Sequence, residues 1–79
     1  MEIVFTAAAA RQWGGLSADV RRRLDDKLRA FAETGQGNVK RLKGDAGTRL
    51  RVGDWRIIFY VEGGALVVTA VGHRSKIYD

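Results

Sequence analysis

A chain of 79 residues with a net charge of +5 and no cysteine forms one small domain, and its composition excludes a disulfide framework and a thiolate metal site. The single histidine excludes the usual His-rich metal sites, and no window approaches the ~20 apolar residues of a membrane span. Because so short a chain buries only about 60–65% of the surface that its unfolded form exposes, a partner that binds the folded state would add to a small stability.

The excess of positive charge lies in the second half of the chain. Residues 1–35 hold six basic and five acidic side chains, a net of +1, whereas residues 36–79 hold eight basic and four acidic side chains, a net of +4. We therefore expect an anionic partner to dock on the second half, although solubility alone would also explain a basic chain of this size.

The first residues, MEIVFTAAAARQW, do not fit a signal peptide, because Glu2 replaces the basic segment and Arg11 interrupts the apolar run. We expect a cytoplasmic protein that makes no contact with a membrane.

Two helices are predicted after a first strand at residues 2–5. Thr6 can cap a short alanine-rich helix that a glycine pair at 14–15 ends. Ser17 can cap a second helix, which Gly35 ends. The apolar residues of this region recur at helical spacing: Leu16, Val20, Leu24, Leu28 and Phe31.

The second helix carries three consecutive arginines at positions 21–23, which could form a nucleic-acid patch. Self-neutralisation is the stronger interpretation, because acidic side chains follow at the i,i+4 spacing that pairs neighbours on a helix surface. The predicted pairs are Arg21 with Asp25, Arg22 with Asp26, and Asp25 with Arg29.

After a predicted loop at residues 36–47, apolar residues alternate with a period of two. Three strands fit this alternation: 48–52, 55–61 and 66–71. Two-residue turns with glycine, Gly53-Asp54 and Gly63-Gly64, join them. The sequence therefore predicts a single α+β domain over residues 1–79, with the order β-α-α-β-β-β and two N-terminal helices packed on one face of an antiparallel sheet.

The turns also predict which side chains share a face of the sheet. Counting outward places Val52 opposite Trp55 and, across the second turn, Ile57 opposite Ala70. The face that holds Ile57 is apolar and should receive the helices. The other face collects Arg49, Arg51, Arg56, Ile58, Tyr60, Val67, Thr69, Val71 and, at the strand end, His73.

Like charges stand opposite each other on that second face, where Arg51 faces Arg56 at a cost of roughly a few tenths of a kcal/mol. Guanidinium groups held on rigid strands favour binding of a phosphate or carboxylate, although an exposed sheet face is often charged without binding anything. Ile58, Val67 and Val71 add an apolar element that fits a groove for a partner peptide.

The last stretch, VGHRSKIYD at 71–79, adds groups for acid–base chemistry. An imidazole can act as acid or base, and a tyrosine can hold a proton or stack on a base, although each is more often a surface or packing residue. Combined with Arg74 and the strand arginines, they favour a metal-free ribonuclease, in which a ribose 2′-hydroxyl attacks its neighbouring phosphate. The carboxylates of this half are too scattered for a two-metal site: Asp45, Asp54, Glu62 and Asp79. We expect no metal and no cofactor.

Essentially the whole chain resembles the RelE/ParE superfamily of bacterial toxins from type II toxin–antitoxin systems. The specific motifs are RLRVGDWRIIFY at 49–60 and VGHR at 71–74 followed by IY at 77–78, and LKG at 42–44 agrees with them. The resemblance implies a RelE-like fold. The closing arginine and tyrosine favour the RelE-like branch, whose members are mRNA interferases that cleave mRNA in the ribosomal A site.

The resemblance implies that the partners are mRNA, the ribosome and a cognate antitoxin with an acidic or amphipathic segment. Arg49 and Arg51 match residues that hold and activate the RNA, Arg56 a phosphate-stabilising arginine, Arg74 an acid or transition-state stabiliser, and Tyr78 a tyrosine that stacks on the base. The implied catalytic residues are Arg49, Arg51, Arg56, Arg74, Tyr78 and, as a supplementary candidate, His73. The predicted RNA- or ribosome-binding residues are Lys40, Arg41, Lys43 and Lys76, and the predicted antitoxin groove consists of Ile58, Tyr60, Val67 and Val71.

The general base is the open point of this mechanism, because arginine stays protonated in nearly all settings and is a poor base compared with the lysines common in the family. Charge stabilisation and positioning would then supply most of the catalysis. Two alternatives share the fold: a ParE-like inhibitor of DNA gyrase, and a catalytically inactive relative that only binds an antitoxin.

Overall fold

The computed structural model describes residues 1–77; the predicted catalytic Tyr78 lies outside the described residues, as does Asp79. The elements are strand β1 (Glu2–Phe5), helices α1 (Ala7–Gly14) and α2 (Ala18–Thr34), and strands β2 (Asn38–Arg41), β3 (Thr48–Val52), β4 (Trp55–Glu62) and β5 (Ala65–His73). Neither helix is long and apolar enough to cross a membrane.

The strands form one sheet in the order β1-β5-β4-β3-β2, so the predicted α+β architecture is confirmed with two differences. An additional strand, β2, lies in the predicted loop and pairs antiparallel with β3. All four of its residues are exposed, so it carries no burial pattern that a sequence could reveal. In addition, β1 pairs parallel with β5, which makes the sheet mixed rather than antiparallel.

The predicted helix caps are confirmed. The Thr6 side-chain oxygen accepts a hydrogen bond from the Ala9 N–H at 3.2 Å, and the Ser17 hydroxyl oxygen accepts one from the Val20 N–H at 3.3 Å. Gly35 ends α2 with a φ of 76°, a conformation that glycine adopts without steric cost. These caps fix where each helix begins and ends over the sheet.

The core lies between the helices and one face of the sheet. Its fully buried large side chains are Leu24, Leu28, Leu50, Ile57, Leu66 and Val68. Two aromatic pairs pack in and against this core, with ring centroids 5.1 Å apart for Phe5–Trp13 and for Phe31–Phe59. Burial of this apolar surface supplies most of the folding free energy.

The exposed side of α2 neutralises part of its own charge, and one of the three predicted pairs, Asp25 with Arg29, is confirmed. Arg29 Nε lies 2.9 Å from the Asp25 carboxylate. The other two predicted pairs are wrong: Arg22 lies 3.8 Å from Asp19 rather than beside Asp26, and Arg21 donates to the Leu16 carbonyl rather than to Asp25.

The register between β4 and β5 changes partway along the strands. The predicted pairs Val61–Leu66 and Phe59–Val68 are confirmed, but a β-bulge then pairs Ile58 with Ala70, and the predicted Ile57–Ala70 pair is wrong. The bulge inserts Thr69, whose hydroxyl donates to the Ile58 carbonyl at 3.2 Å. The Gln12 side-chain oxygen accepts the Val71 N–H at 2.8 Å, which satisfies a backbone donor at this irregularity.

From the bulge onward, β5 presents the opposite face from the one predicted. Val71 pairs with Ile57 and is 3% exposed in the core, so its predicted place in an exposed groove is wrong. His73 pairs with Trp55, so its predicted place among the strand arginines is also wrong. The physical reason is the single inserted residue, since side chains alternate with a period of two.

Candidate anion-binding site

The sheet face that points away from the core, here called the outer face, gathers positive charge at one end. The predicted register of β3 and β4 is confirmed: Arg51 lies opposite Arg56, and Arg49 lies opposite Ile58. On the other side of β3, Lys40 lies opposite Arg49. The antiparallel ladder thus places these cations in neighbouring rows.

The β3–β4 turn holds two of these arginines together. Gly53 has a φ of 60°, and with a negative φ at Asp54 this is a type II′ hairpin turn, which requires glycine first. The Gly53 carbonyl accepts from Arg56 Nη1 at 2.9 Å and from Arg51 Nε at 3.3 Å. Arg56 Nη1 also donates to the Trp55 carbonyl at 3.0 Å. One turn therefore fixes two guanidinium groups that repel each other.

Asp54 brings Arg74 to the same turn. The Arg74 backbone N–H donates to the Asp54 carbonyl at 2.8 Å, and Arg74 Nε lies 3.6 Å from Asp54 Oδ1. Both side chains are 64% exposed. We call Arg49, Arg51, Arg56 and Arg74 the arginine cluster.

The charges of the other three arginines of the cluster all act on Arg56. Partial burial lowers the pKa of Arg56, and repulsion by Arg49, Arg51 and Arg74 lowers that pKa further, while the Asp54 carboxylate acts in the opposite direction. A guanidinium nevertheless stays charged near neutral pH. An anion bound at this end of the outer face would relieve the repulsion, as two or more guanidinium forks can share one phosphate.

The other predicted cations do not all join the cluster. Lys40 is on the outer face, whereas Arg41 lies opposite Thr48 and therefore on the other face. Lys43 is exposed in the loop after β2. Lys76 lines a groove of about 570 Å³ beside α1, together with Arg11 and Trp55. The structure thus supports Lys40 as a neighbour of the cluster and separates Arg41 and Lys76 from it.

His73 shapes the last described turn rather than the cluster. Its ring packs edge-on against Trp55, with centroids 5.4 Å apart. Its Nδ1 accepts the Ser75 N–H at 3.2 Å, and its carbonyl accepts the N–H groups of Lys76 and Ile77 at 2.9 and 3.2 Å. His73 therefore caps the turn at 73–77, on the side of the sheet that holds Trp55.

The predicted antitoxin groove is only partly exposed. Ile58 is 7% exposed, and a Cβ added to Gly47 would lie 3.8 Å from its side chain. The same Cβ would lie 2.6 Å from the Phe59 carbonyl oxygen, so only glycine at position 47 lets the loop after β2 approach β4 this closely. The part of the predicted groove that remains accessible is Tyr60 and Val67.

An apolar row crosses three strands at the accessible part of the outer face. Val67 lies opposite Tyr60 on one side and opposite Val4 on the other, and Tyr60 and Val4 are each 41% exposed. Val4 was missed by the sequence prediction, although the alternation of β1 with Ile3 and Phe5 in the core would have revealed it. The apolar row is therefore Val4, Val67 and Tyr60.

Among residues 1–77, no three His, Cys, Asp or Glu side chains converge as metal ligands would.

Comparisons with known proteins agree with this architecture. Residues 3–78 match the sequence model of a family described as the ParE toxin of the type II toxin–antitoxin system parDE. No curated protein matches the chain.

Solved structures share the fold at low sequence identity. A chain of the RelB–RelE antitoxin–toxin complex from Methanococcus jannaschii is 23% identical, with 96% of this chain and 95% of that chain covered and a TM-score of 0.76. The isolated E. coli RelE toxin is 22% identical, with 91% and 82% covered and a TM-score of 0.78. The YoeB/ParE toxin from Agrobacterium tumefaciens is 23% identical, with 92% and 98% covered and a TM-score of 0.75. The chain belongs to the ParE toxin family of type II toxin–antitoxin systems, within the RelE/ParE superfamily.

Proposed function

We propose that this toxin is an endoribonuclease that cleaves mRNA in the ribosomal A site, without a metal ion, and that a cognate antitoxin silences it. The arginine cluster is the observation that carries the proposal. Its four guanidinium groups surround one end of a rigid sheet face, and hydrogen bonds to the β3–β4 turn hold two of them in place. Such preorganised cations stabilise charge as it develops on a phosphate.

The proposed reaction is an internal transfer at one phosphodiester. The ribose 2′-oxygen forms a bond to the neighbouring phosphorus, and the bond from phosphorus to the 5′-oxygen breaks. The 2′-hydroxyl loses its proton to solvent and the leaving 5′-oxygen takes one from solvent, which leaves a 2′,3′-cyclic phosphate and a 5′-hydroxyl. The phosphorane exists after the 2′-oxygen has bonded to phosphorus and before the bond to the 5′-oxygen breaks. The cluster stabilises its additional negative charge.

Each arginine has a place in this scheme. Arg56 is central, because the other three cations act on it, and it contacts the non-bridging phosphate oxygens. Arg49 and Arg51 hold the RNA backbone beside it. Arg74 is well exposed and stabilises the leaving oxygen. Stacking of Tyr78 on the substrate base stays a prediction.

We further propose that the antitoxin covers the outer face. RelB–RelE and YoeB–YefM complexes are among the solved structures that share this fold. Acidic side chains of an antitoxin would neutralise the arginine cluster, and apolar ones would pack on Val4, Val67 and Tyr60. Binding there would block RNA from the cluster.

Substitution of the cluster tests the ribonuclease directly. We expect Arg56→Ala and Arg74→Ala to lower mRNA cleavage by about 10²-fold or more each, because each removes a cation that stabilises the transition state. The measurement is mapping of mRNA 5′ ends after brief induction, together with growth. Lys27→Ala removes one positive charge from exposed α2 and should cleave like the wild type. Full toxicity of both arginine variants would contradict the site assignment.

A second function is favoured by the matching family itself, which is named for ParE. A toxin directed at DNA gyrase would leave mRNA intact after induction and would activate DNA-damage signalling. The same induction experiment therefore separates the two functions, and a supercoiling assay with purified gyrase checks the second one independently.

A further inference from the structure

Asp54 is an acidic residue placed among cations. Its carboxylate is the one group within residues 1–77 that raises the pKa of Arg56, against partial burial and three arginines that lower it. The other acidic side chains of the described chain lie on α2, in the loop after β2, or near the opposite end of the sheet, where Glu2 and Glu62 flank Ala65. A site built solely to attract anions would gain from a neutral residue at position 54.

We propose that Asp54 is an internal counterion that holds Arg74 in position until a phosphodiester of the RNA replaces it. This inference rests on the proposed function for the identity of the ligand, whereas the contact between Asp54 and Arg74 is independent of it. In this role Asp54 is a positioning residue, since it acts on the substrate through Arg74.

Two contacts of different strength support the exchange. The hydrogen bond from the Arg74 N–H to the Asp54 carbonyl, at 2.8 Å, fixes the backbone of residue 74 beside the turn. The ion pair between the side chains, at 3.6 Å and with both groups 64% exposed, is of the kind that contributes little to stability. The backbone therefore stays anchored while the guanidinium can change partner.

The exchange has a direct electrostatic consequence. An incoming phosphate and the Asp54 carboxylate carry the same charge and compete for the same guanidinium fork. Asp54 should therefore weaken binding of the ground-state anion while it keeps Arg74 near the place where the leaving oxygen develops charge. The gain for catalysis comes from the placement of Arg74 alone, since the carboxylate itself repels the additional negative charge of the phosphorane.

The test compares Asp54→Asn with a control, Glu62→Gln. The control changes the net charge by the same amount, but Glu62 ends β4 far from the cluster. In ¹⁵N spectra, we expect Asp54→Asn to shift the Arg74 Nε–H signal and to speed its exchange with water. We expect inorganic pyrophosphate to bind Asp54→Asn about threefold more tightly than it binds Glu62→Gln. In an assay with mRNA-programmed ribosomes, the kcat of Asp54→Asn should be about tenfold lower than that of the wild type, while its KM falls or stays constant.

A double-variant cycle shows whether the effect passes through Arg74. In an Arg74→Ala background, Asp54→Asn should no longer change kcat. The inference is overturned if the Arg74 signal is unchanged in Asp54→Asn, if Glu62→Gln tightens pyrophosphate binding equally, or if the kcat effect persists without Arg74. If the wild type fails to cleave RNA while the spectra and the pyrophosphate affinities behave as expected, the proposed ribonuclease fails and the counterion exchange stands.

Discussion

The opposed pair Arg51 and Arg56 keeps like charges together at the centre of the candidate site. Partial burial, followed by repulsion from Arg49, Arg51 and Arg74, lowers the pKa of Arg56, so the folded protein disfavours the charge that the site needs. This penalty is present at every pH at which Arg56 is protonated, including neutral pH, and it disappears only when the guanidinium loses its proton. The cluster is thus a place where stability is lower than the fold alone would allow, as at many functional sites.

Removing one of the opposed charges should stabilise the protein and impair its function. We expect Arg51→Gln to raise Tm by roughly 1–2 °C, because a like-charge pair is lost, and to lower RNA cleavage. Differential scanning fluorimetry at low salt measures the first effect. Lys27→Gln, an equal charge change on exposed α2, should leave Tm and cleavage unchanged. A lower Tm for Arg51→Gln than for the wild type would contradict the repulsion.

At the scale of helices and strands, the hairpin turns predicted the register of the sheet correctly up to the β-bulge between β4 and β5. Gly53 and Gly63 indicated two-residue turns. Counting outward from the first of these turns gives the observed register of β3 with β4. The bulge at Thr69 could not be predicted by counting from the turns, because it also depends on a distant residue. The Gln12 side chain, 59 residues from Val71 in sequence, accepts the Val71 N–H there. Strand β2 escaped prediction because its exposed residues show no alternation.

Whether a site residue could be predicted depended on whether it precedes or follows the bulge in β5. The cluster residues Arg49, Arg51 and Arg56 precede the bulge, so their common face followed from the turn. Val71 and His73 follow the bulge and lie on the face opposite to the one predicted. The role of Asp54 depends on a contact between the turn and Arg74, which residue spacing does not reveal.

Loss of the Gln12 contact should loosen the end of β5. We expect Gln12→Ala to lower the free energy of unfolding by about 1–2 kcal/mol, because the Val71 N–H loses its acceptor. Hydrogen exchange should accelerate at Val71 more than at Val68, which lies before the bulge. Arg11→Ala alters the neighbouring exposed position of α1 and serves as the control. Unchanged exchange at Val71 would show that the bulge does not need Gln12.

At the scale of the whole molecule, the outer face divides into regions of different chemistry. The arginine cluster occupies one end, the apolar row of Val4, Val67 and Tyr60 lies further along, and Glu2 and Glu62 flank Ala65 near the other end. A single partner that crosses this face would meet cations, apolar side chains and carboxylates in turn. A partner with complementary charges at its two ends would therefore bind more favourably in one direction than in the other.

The charge of the cluster should also set the salt dependence of RNA binding. Four guanidinium contacts to single-stranded RNA predict that log K falls with log salt with a slope of about −3, and loss of one contact should reduce the slope by about 0.7. Binding of an RNA whose 2′-hydroxyls are methylated, which cannot react, is measured by fluorescence anisotropy for the wild type and Arg49→Gln. Equal slopes for the two proteins would remove Arg49 from the binding site.

The parallel pairing of β1 with β5 has a consequence for the time at which toxicity begins. Glu2 pairs with Ala65, so β1 has no partner in the sheet until β5 has been synthesised. Arg74 follows β5 and reaches its position beside Asp54 later still. A nascent chain that has produced only β1 to β4 therefore cannot assemble the cluster. Synthesis has to pass Arg74 before the four arginines of the cluster can come together.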